Sequence, residues 1–149
     1  MRFVDTNVLL YAVSTAPAEQ AKARIARALL ETPDLCLSVQ VLQEFYVQAT
    51  RPTKPDRLSH EQAVSLIEGF LRYTAQDNTI ALMRAALDAS RRFRISYWDA
   101  GVVEAARALG CRTVVSEDLA HGRDYGGVIV VNPFRTAPVR QRRSPRAGS

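Results

Sequence analysis

With 149 residues, 47% hydrophobic and 23% charged, the chain is the size of one domain and can bury a core without disulfides or a structural metal. No apolar run approaches the roughly 20 residues of a membrane span, and the N-terminus enters a strand rather than a charged-then-apolar leader, so a cytoplasmic protein with no membrane partner is expected. Arg135, Arg140, Arg142, Arg143 and Arg146 account for the net charge of +5, leaving residues 1–134 with 15 basic and 15 acidic groups.

That division predicts a neutral domain over 1–134 and a basic, disordered tail over 135–149. Such a tail can meet a polyanion without folding, or can simply keep the chain soluble. Phe3 and Val4 begin a strand that stops at Asp5, and Thr6 and Asn7 are cap and turn residues before the helical run Val8-Leu9-Leu10-Tyr11. Residues 17–30 have helical spacing, with Ala21, Ile25, Ala28 and Leu29 as the apolar stripe. Leu35-Cys36-Leu37 is a short buried strand, and Ser38 caps a helix to about Thr50 whose apolar surface is Val41, Leu42, Phe45 and Val47.

Pro52 and Pro55 mark a loop. Ser59 and Gln62 form a capping-box pattern before the stripe Ala63, Leu66, Ile67, Phe70 and Leu71. An extended segment over 73–76 leads to a helix over 79–93, with Ile80, Met83, Ala86 and Leu87 as its apolar face, and Ser96 opens another that Gly110 stops. Thr113–Ser116 and Val128–Val131 are strands. Apolar strands alternating with helices predict an α/β domain, a central parallel sheet flanked by helices on both faces. Cys36 and Cys111 form no CxxC unit and are expected as reduced core residues.

Four acidic residues stand out by position: Asp5 at a strand end, Glu44 among Val41, Leu42, Phe45 and Val47, Asp99 in a first helical turn, and Asp118 just after a strand. In a parallel sheet, strand ends and the following helix starts share one edge, which brings Asp5, Asp99 and Asp118 together. Glu44 joins them if its helix tilts over the site. Singly, each has an ordinary role open to it, such as matching a helix dipole or capping a turn. Together, four like charges on one rim repel unless a cation screens them. Oxygen ligands without paired His or Cys favour Mg²⁺ or Mn²⁺ over Zn²⁺. His60 and His121 are far apart and read as exposed polar residues, and no phosphate-cradling glycine loop follows the first strand.

Val4-Asp5-Thr6-Asn7-Val8-Leu9, Val41-Leu42-Gln43-Glu44-Phe45, Ser96-Tyr97-Trp98-Asp99-Ala100 and Ser116-Glu117-Asp118-Leu119 resemble, in order, the motifs of PIN-domain ribonucleases. Tyr125-Gly126-Gly127 and Val131-Asn132-Pro133-Phe134 resemble the VapC toxin branch of type II toxin–antitoxin systems. The resemblance covers about residues 2–134. It implies a PIN-like fold in which Asp5, Glu44, Asp99 and Asp118 bind Mg²⁺ or Mn²⁺, with Thr6, Asn7 and Ser116 supporting them. Some relatives carry a further acid near the fourth motif; Glu117 is available but is expected to point away from Asp118. The basic tail is no part of the pattern.

The activity implied is metal-dependent endoribonuclease cleavage of RNA, with tRNA or rRNA the expected target, leaving a 5′-phosphate and a 3′-hydroxyl. Arg51, Lys54, Arg91, Arg92 and Arg94 are candidate RNA contacts, although the last three also suit a helix C-terminus. The resemblance further implies a homodimer and a cognate VapB-type antitoxin. Tyr11, Phe45, Tyr46 and Tyr73 are either core residues or the lining of a groove for an antitoxin helix. A catalytically silent RNA-binding or interaction module is the alternative; it would need a broken acidic set, and all four acids are present. A DNA nuclease or phosphatase of this architecture would need inserts for which the chain has no room.

Overall fold

A computed structural model describes residues 1–135. The structure of the tail beyond Arg135, including the disorder expected of it, lies outside the described residues.

The elements in chain order are β1 (Arg2–Val4), α1 (Thr6–Val13), a 3-10 turn (Pro17–Glu19), α2 (Gln20–Leu30), β2 (Leu35–Ser38), α3 (Val39–Ala49), α4 (His60–Phe70), β3 (Thr74–Gln76), α5 (Ile80–Phe93), α6 (Tyr97–Ala108), β4 (Thr113–Val115) and β5 (Ile129–Val131). All five strands are parallel, in the order β3-β2-β1-β4-β5. Chain direction across the sheet therefore reverses at β1, which pairs with β2 on one side and β4 on the other. Adjacent strand residues point to opposite faces, and Phe3 and Val4 are both fully buried. Both faces of the sheet are thus covered, as the unbroken apolar strands predict.

Two helices bury only part of the apolar face expected of them, Leu29 in α2 and Ala86 in α5. In α2, Ala23, Ala26 and Leu30 are buried, while Ala21, Ile25 and Ala28 of the expected stripe face solvent. The small alanines let α2 approach α1 closely, and polar contacts fix its rotation. Arg27 donates to the carbonyls of Ala12 and Ser14, and Lys22 reaches Glu117. In α5, Ala86 of the expected face and its neighbour Ala89 pack against Ala100 of α6, while Ile80, Met83 and Leu87 of that face are left exposed. Val47 of α3 is also exposed, whereas Val41, Leu42 and Phe45 join the core as expected. Phe45 and Tyr73 are core residues, and Tyr11 and Tyr46 are half-buried. No helix among the described residues is long and apolar enough to cross a membrane.

Candidate active site

Asp5 itself caps α1: its Oδ1 accepts from the Thr6 backbone N–H at 2.7 Å, so Thr6 and Asn7 are the first helical residues rather than the cap. Its backbone N–H donates to the Val115 carbonyl at 3.0 Å, which ties the end of β1 to the end of β4. The side chain is 6% exposed. Ser116 Oγ donates to Asp5 Oδ2 at 2.7 Å and accepts from Asn7 Nδ2 at 3.2 Å. Ser116 Oγ also accepts from the backbone N–H of Asp118 at 3.1 Å, and Asn7 Oδ1 accepts from that of Glu117 at 3.1 Å. One buried hydroxyl thus sets the carboxylate of Asp5 and the turn that carries Asp118.

Ser38 caps α3 as predicted, accepting from Val41 N–H at 3.2 Å, and this places Glu44 in the second turn. Thr6 Oγ1 donates to Glu44 Oε1 at 3.2 Å, bringing α3 over the end of β1. Ser96 caps α6 by accepting from Asp99 N–H at 3.0 Å. Asp5, Glu44, Asp99 and Asp118, separated by up to 113 positions in the chain, line one cleft of about 80 Å³ together with Thr6, Gln48, Trp98 and Val102.

The cleft raises the proton affinity of Asp5, Glu44 and Asp99. Burial pushes the Asp5 carboxyl up to about 6, against the opposing bonds from Ser116 and Thr6, with Asp118 and Glu44 adding repulsion. Glu44 is raised by burial and by Asp99 and Asp118, and Asp99 by burial and by Asp118. Among the described residues, no group of three or more His, Cys, Asp or Glu is arranged to hold a metal ion as it stands. The donor chemistry nonetheless suits a hard cation. An ionised carboxylate offers about four lone-pair sites, and Asp5 commits two of them to Thr6 and Ser116.

A second cavity of about 350 Å³ adjoins the cleft through Thr6, Gln48 and Asp118. Arg51 and Lys54 line it, whereas Arg91, Arg92 and Arg94 line neither space. Lys54 is committed to Asp56 at 2.8 Å. Arg94 instead ends α5 in the left-handed conformation, and Arg92 stacks on Phe93. Glu117 points away from the cleft, as expected: Tyr11 donates to it at 2.6 Å and Lys22 pairs with it. Gln48 and Trp98 belong to the site without having been singled out in the sequence. Gln48 could have been found by spacing, since it lies one helical turn beyond Glu44 on the same face.

No curated protein matches the chain in sequence. Among solved structures, it is similar to VapC20 of Mycobacterium tuberculosis, described as a sarcin–ricin loop cleaving toxin. That match has a TM-score of 0.63 at 21% identity and covers 79% of this chain and 90% of the other. A toxin–antitoxin complex from Klebsiella pneumoniae matches with a TM-score of 0.66 at 16% identity, covering 91% and 100%. VapBC2 of Rickettsia felis, solved with a fragment of its promoter DNA, gives 0.60 at 19% identity, covering 87% and 96%. At such identities the likeness is one of fold. The family model for the PIN domain matches residues 2–123, and this chain belongs to the PIN domain family.

Proposed function

We propose that the protein is the toxin of a type II toxin–antitoxin pair, an endoribonuclease that hydrolyses RNA with Mg²⁺ or Mn²⁺. The observation that carries this reading is the meeting of Asp5, Glu44, Asp99 and Asp118 in one cleft at the sheet's carboxyl edge. Mg²⁺ keeps several of its waters and takes only one or two protein carboxylates directly. A cleft whose acids do not converge on a single point suits an ion held partly through water. Bound there, such a cation lowers the pKa of a water and polarises the scissile phosphate.

The chain's own residues supply the rest. Ser116 and Asn7 hold Asp5 and the Asp118 turn in register, and Thr6 fixes Glu44. Arg51, exposed on the wall of the adjoining cavity, meets the phosphate backbone, and the 61% exposed Trp98 at the rim offers a face on which an unpaired base can stack. Fold neighbours solved as toxin–antitoxin complexes support an antitoxin partner of the VapB type. The exposed Ile80, Met83 and Leu87 support a homodimer through α5.

Purified protein incubated with total small RNA and with a sarcin–ricin loop transcript tests the reading. Discrete fragments are expected with Mg²⁺ or Mn²⁺, and none with EDTA or in Asp5→Asn. Intact RNA under every condition, together with retained RNA binding, would instead make the chain a silent binding module.

A further inference from the structure

Cys36 and Cys111 lie 75 positions apart in sequence, in β2 and in the turn between α6 and β4. In the fold their Sγ atoms are 2.7 Å apart, well inside the contact distance of two unbonded sulfurs. Cys36 is fully buried and Cys111 is 2% exposed. Beyond each other, the polar contact to either thiol is a long one, Cys36 Sγ to the Arg2 carbonyl at 3.7 Å. The pair lies toward the amino-terminal edge of the sheet, away from the carboxylate cleft: Cys36 is level with Phe3, and Cys111 precedes Thr113, which is level with Arg2.

We propose that Cys36 and Cys111 are a disulfide-forming pair that staples β2 to the turn leading into β4, on the two sides of β1. This departs from the expectation of two independent reduced core thiols. The oxidant is hydrogen peroxide. One thiol attacks the O–O bond and becomes a sulfenic acid with loss of water, and the second thiol displaces a second water to close the S–S bond. Two thiols lose two hydrogens, and the peroxide takes up two electrons and leaves as two waters.

Burial, and the neighbouring Cys111, hold the Cys36 thiol far above its usual range, so the folded protein reacts slowly. The bond therefore forms while the chain folds, before the sheet closes over the pair. Once formed, it links β2, which leads into the helix carrying Glu44, to the turn before β4, the strand that leads into the turn carrying Asp118. Closing a loop of this length removes much of the unfolded chain's freedom and is expected to raise Tm by about 10 °C.

The test is to refold the full chain from denaturant, dilute, with hydrogen peroxide or with a thiol reductant, then alkylate it under denaturing conditions. Expected from the peroxide arm is a monomer lighter by two hydrogens, with neither cysteine alkylated, a Cys36–Cys111 peptide on digestion, and a raised Tm that reductant reverses. Cys111→Ala and Cys36→Ala are expected to lose both the mass change and the oxidative rise in Tm. Should either variant fail to fold, the mass and digest of the wild-type protein decide alone. Two alkylated cysteines after peroxide, a disulfide-linked dimer, or a bridge that lowers Tm would overturn the proposal.

Discussion

Asp5 meets two conflicting demands under the proposed function. As a buried cap it favours the neutral form, and as the proposed cation ligand it would have to be charged. Its folded pKa of about 6 lies above the ordinary 3.8, so the folded state binds the proton more tightly than the unfolded chain does. The stability contributed by this group is complete below the ordinary value, falls as pH climbs from about 4 to 6, and stays lost above. In metal-free buffer, Asp5→Asn should therefore melt higher than wild type at pH 7.5, with the gap closing by pH 4. A pKa unit is worth about 1.4 kcal/mol, which puts the gain on the order of 1–3 kcal/mol. A variant that melts lower at pH 7.5, or a gap independent of pH, would contradict this origin of the shift.

Ser116 makes the complementary case, because its hydroxyl serves Asp5 and the Asp118 turn at once. Ser116→Ala strands buried donors and should cost about 1–3 kcal/mol. Cation affinity should also fall by roughly 10–100-fold, the usual scale for supporting groups around a metal. Calorimetric affinity equal to wild type would reduce Ser116 to a folding role.

Among the helices, small residues decide which face is buried. α5 turns Ala86 and Ala89 toward α6 and leaves its larger Ile80, Met83 and Leu87 outside. Periodicity ranks faces by how apolar they are, and so it found Ala86 here but added the larger exposed residues, and in α2 it found Leu29 but missed Ala23, Ala26 and Leu30. It carries no information about how closely two backbones can approach. Replacing Ile80, Met83 and Leu87 with Gln should leave the fold intact and shift the protein to monomer in sedimentation analysis, if α5 is a dimer face. Ala89→Leu, by contrast, overfills a packed contact and should lower stability by about 1–3 kcal/mol. Equal Tm in the Leu variant would mean that the α5–α6 contact is loose.

Over the whole molecule, the parallel sheet turns four distant acids into one site, because strand ends and helix starts share an edge. Asp5, Asp99 and Asp118 were legible in the sequence for that reason, each beside a strand end or a capping serine. Glu44 was legible only through its odd apolar neighbours, since nothing local shows that α3 leans over β1 until the Thr6 bond is seen. The thiol contact, across 75 positions, is a tertiary fact that sequence spacing does not encode, whereas the engagement of Lys54 by Asp56 is local, two residues on in the same loop. Of the five basic candidates, Arg51 lines the cavity beside the cleft without the acidic partner that Lys54 has, and under the proposed function it is the one to test. Arg51→Ala should weaken RNA binding and reduce its salt slope by about one unit, with a smaller effect at Arg91.

The most direct measurement is a calorimetric titration of Mn²⁺ into the metal-free protein, beside Asp5→Asn, Asp99→Asn and Asp118→Asn. Saturable binding in wild type that each variant weakens by at least about tenfold is the result the proposed cation centre predicts. Binding that none of the variants alters, or no binding at all, would mean that the four carboxylates share a cleft without forming a cation site.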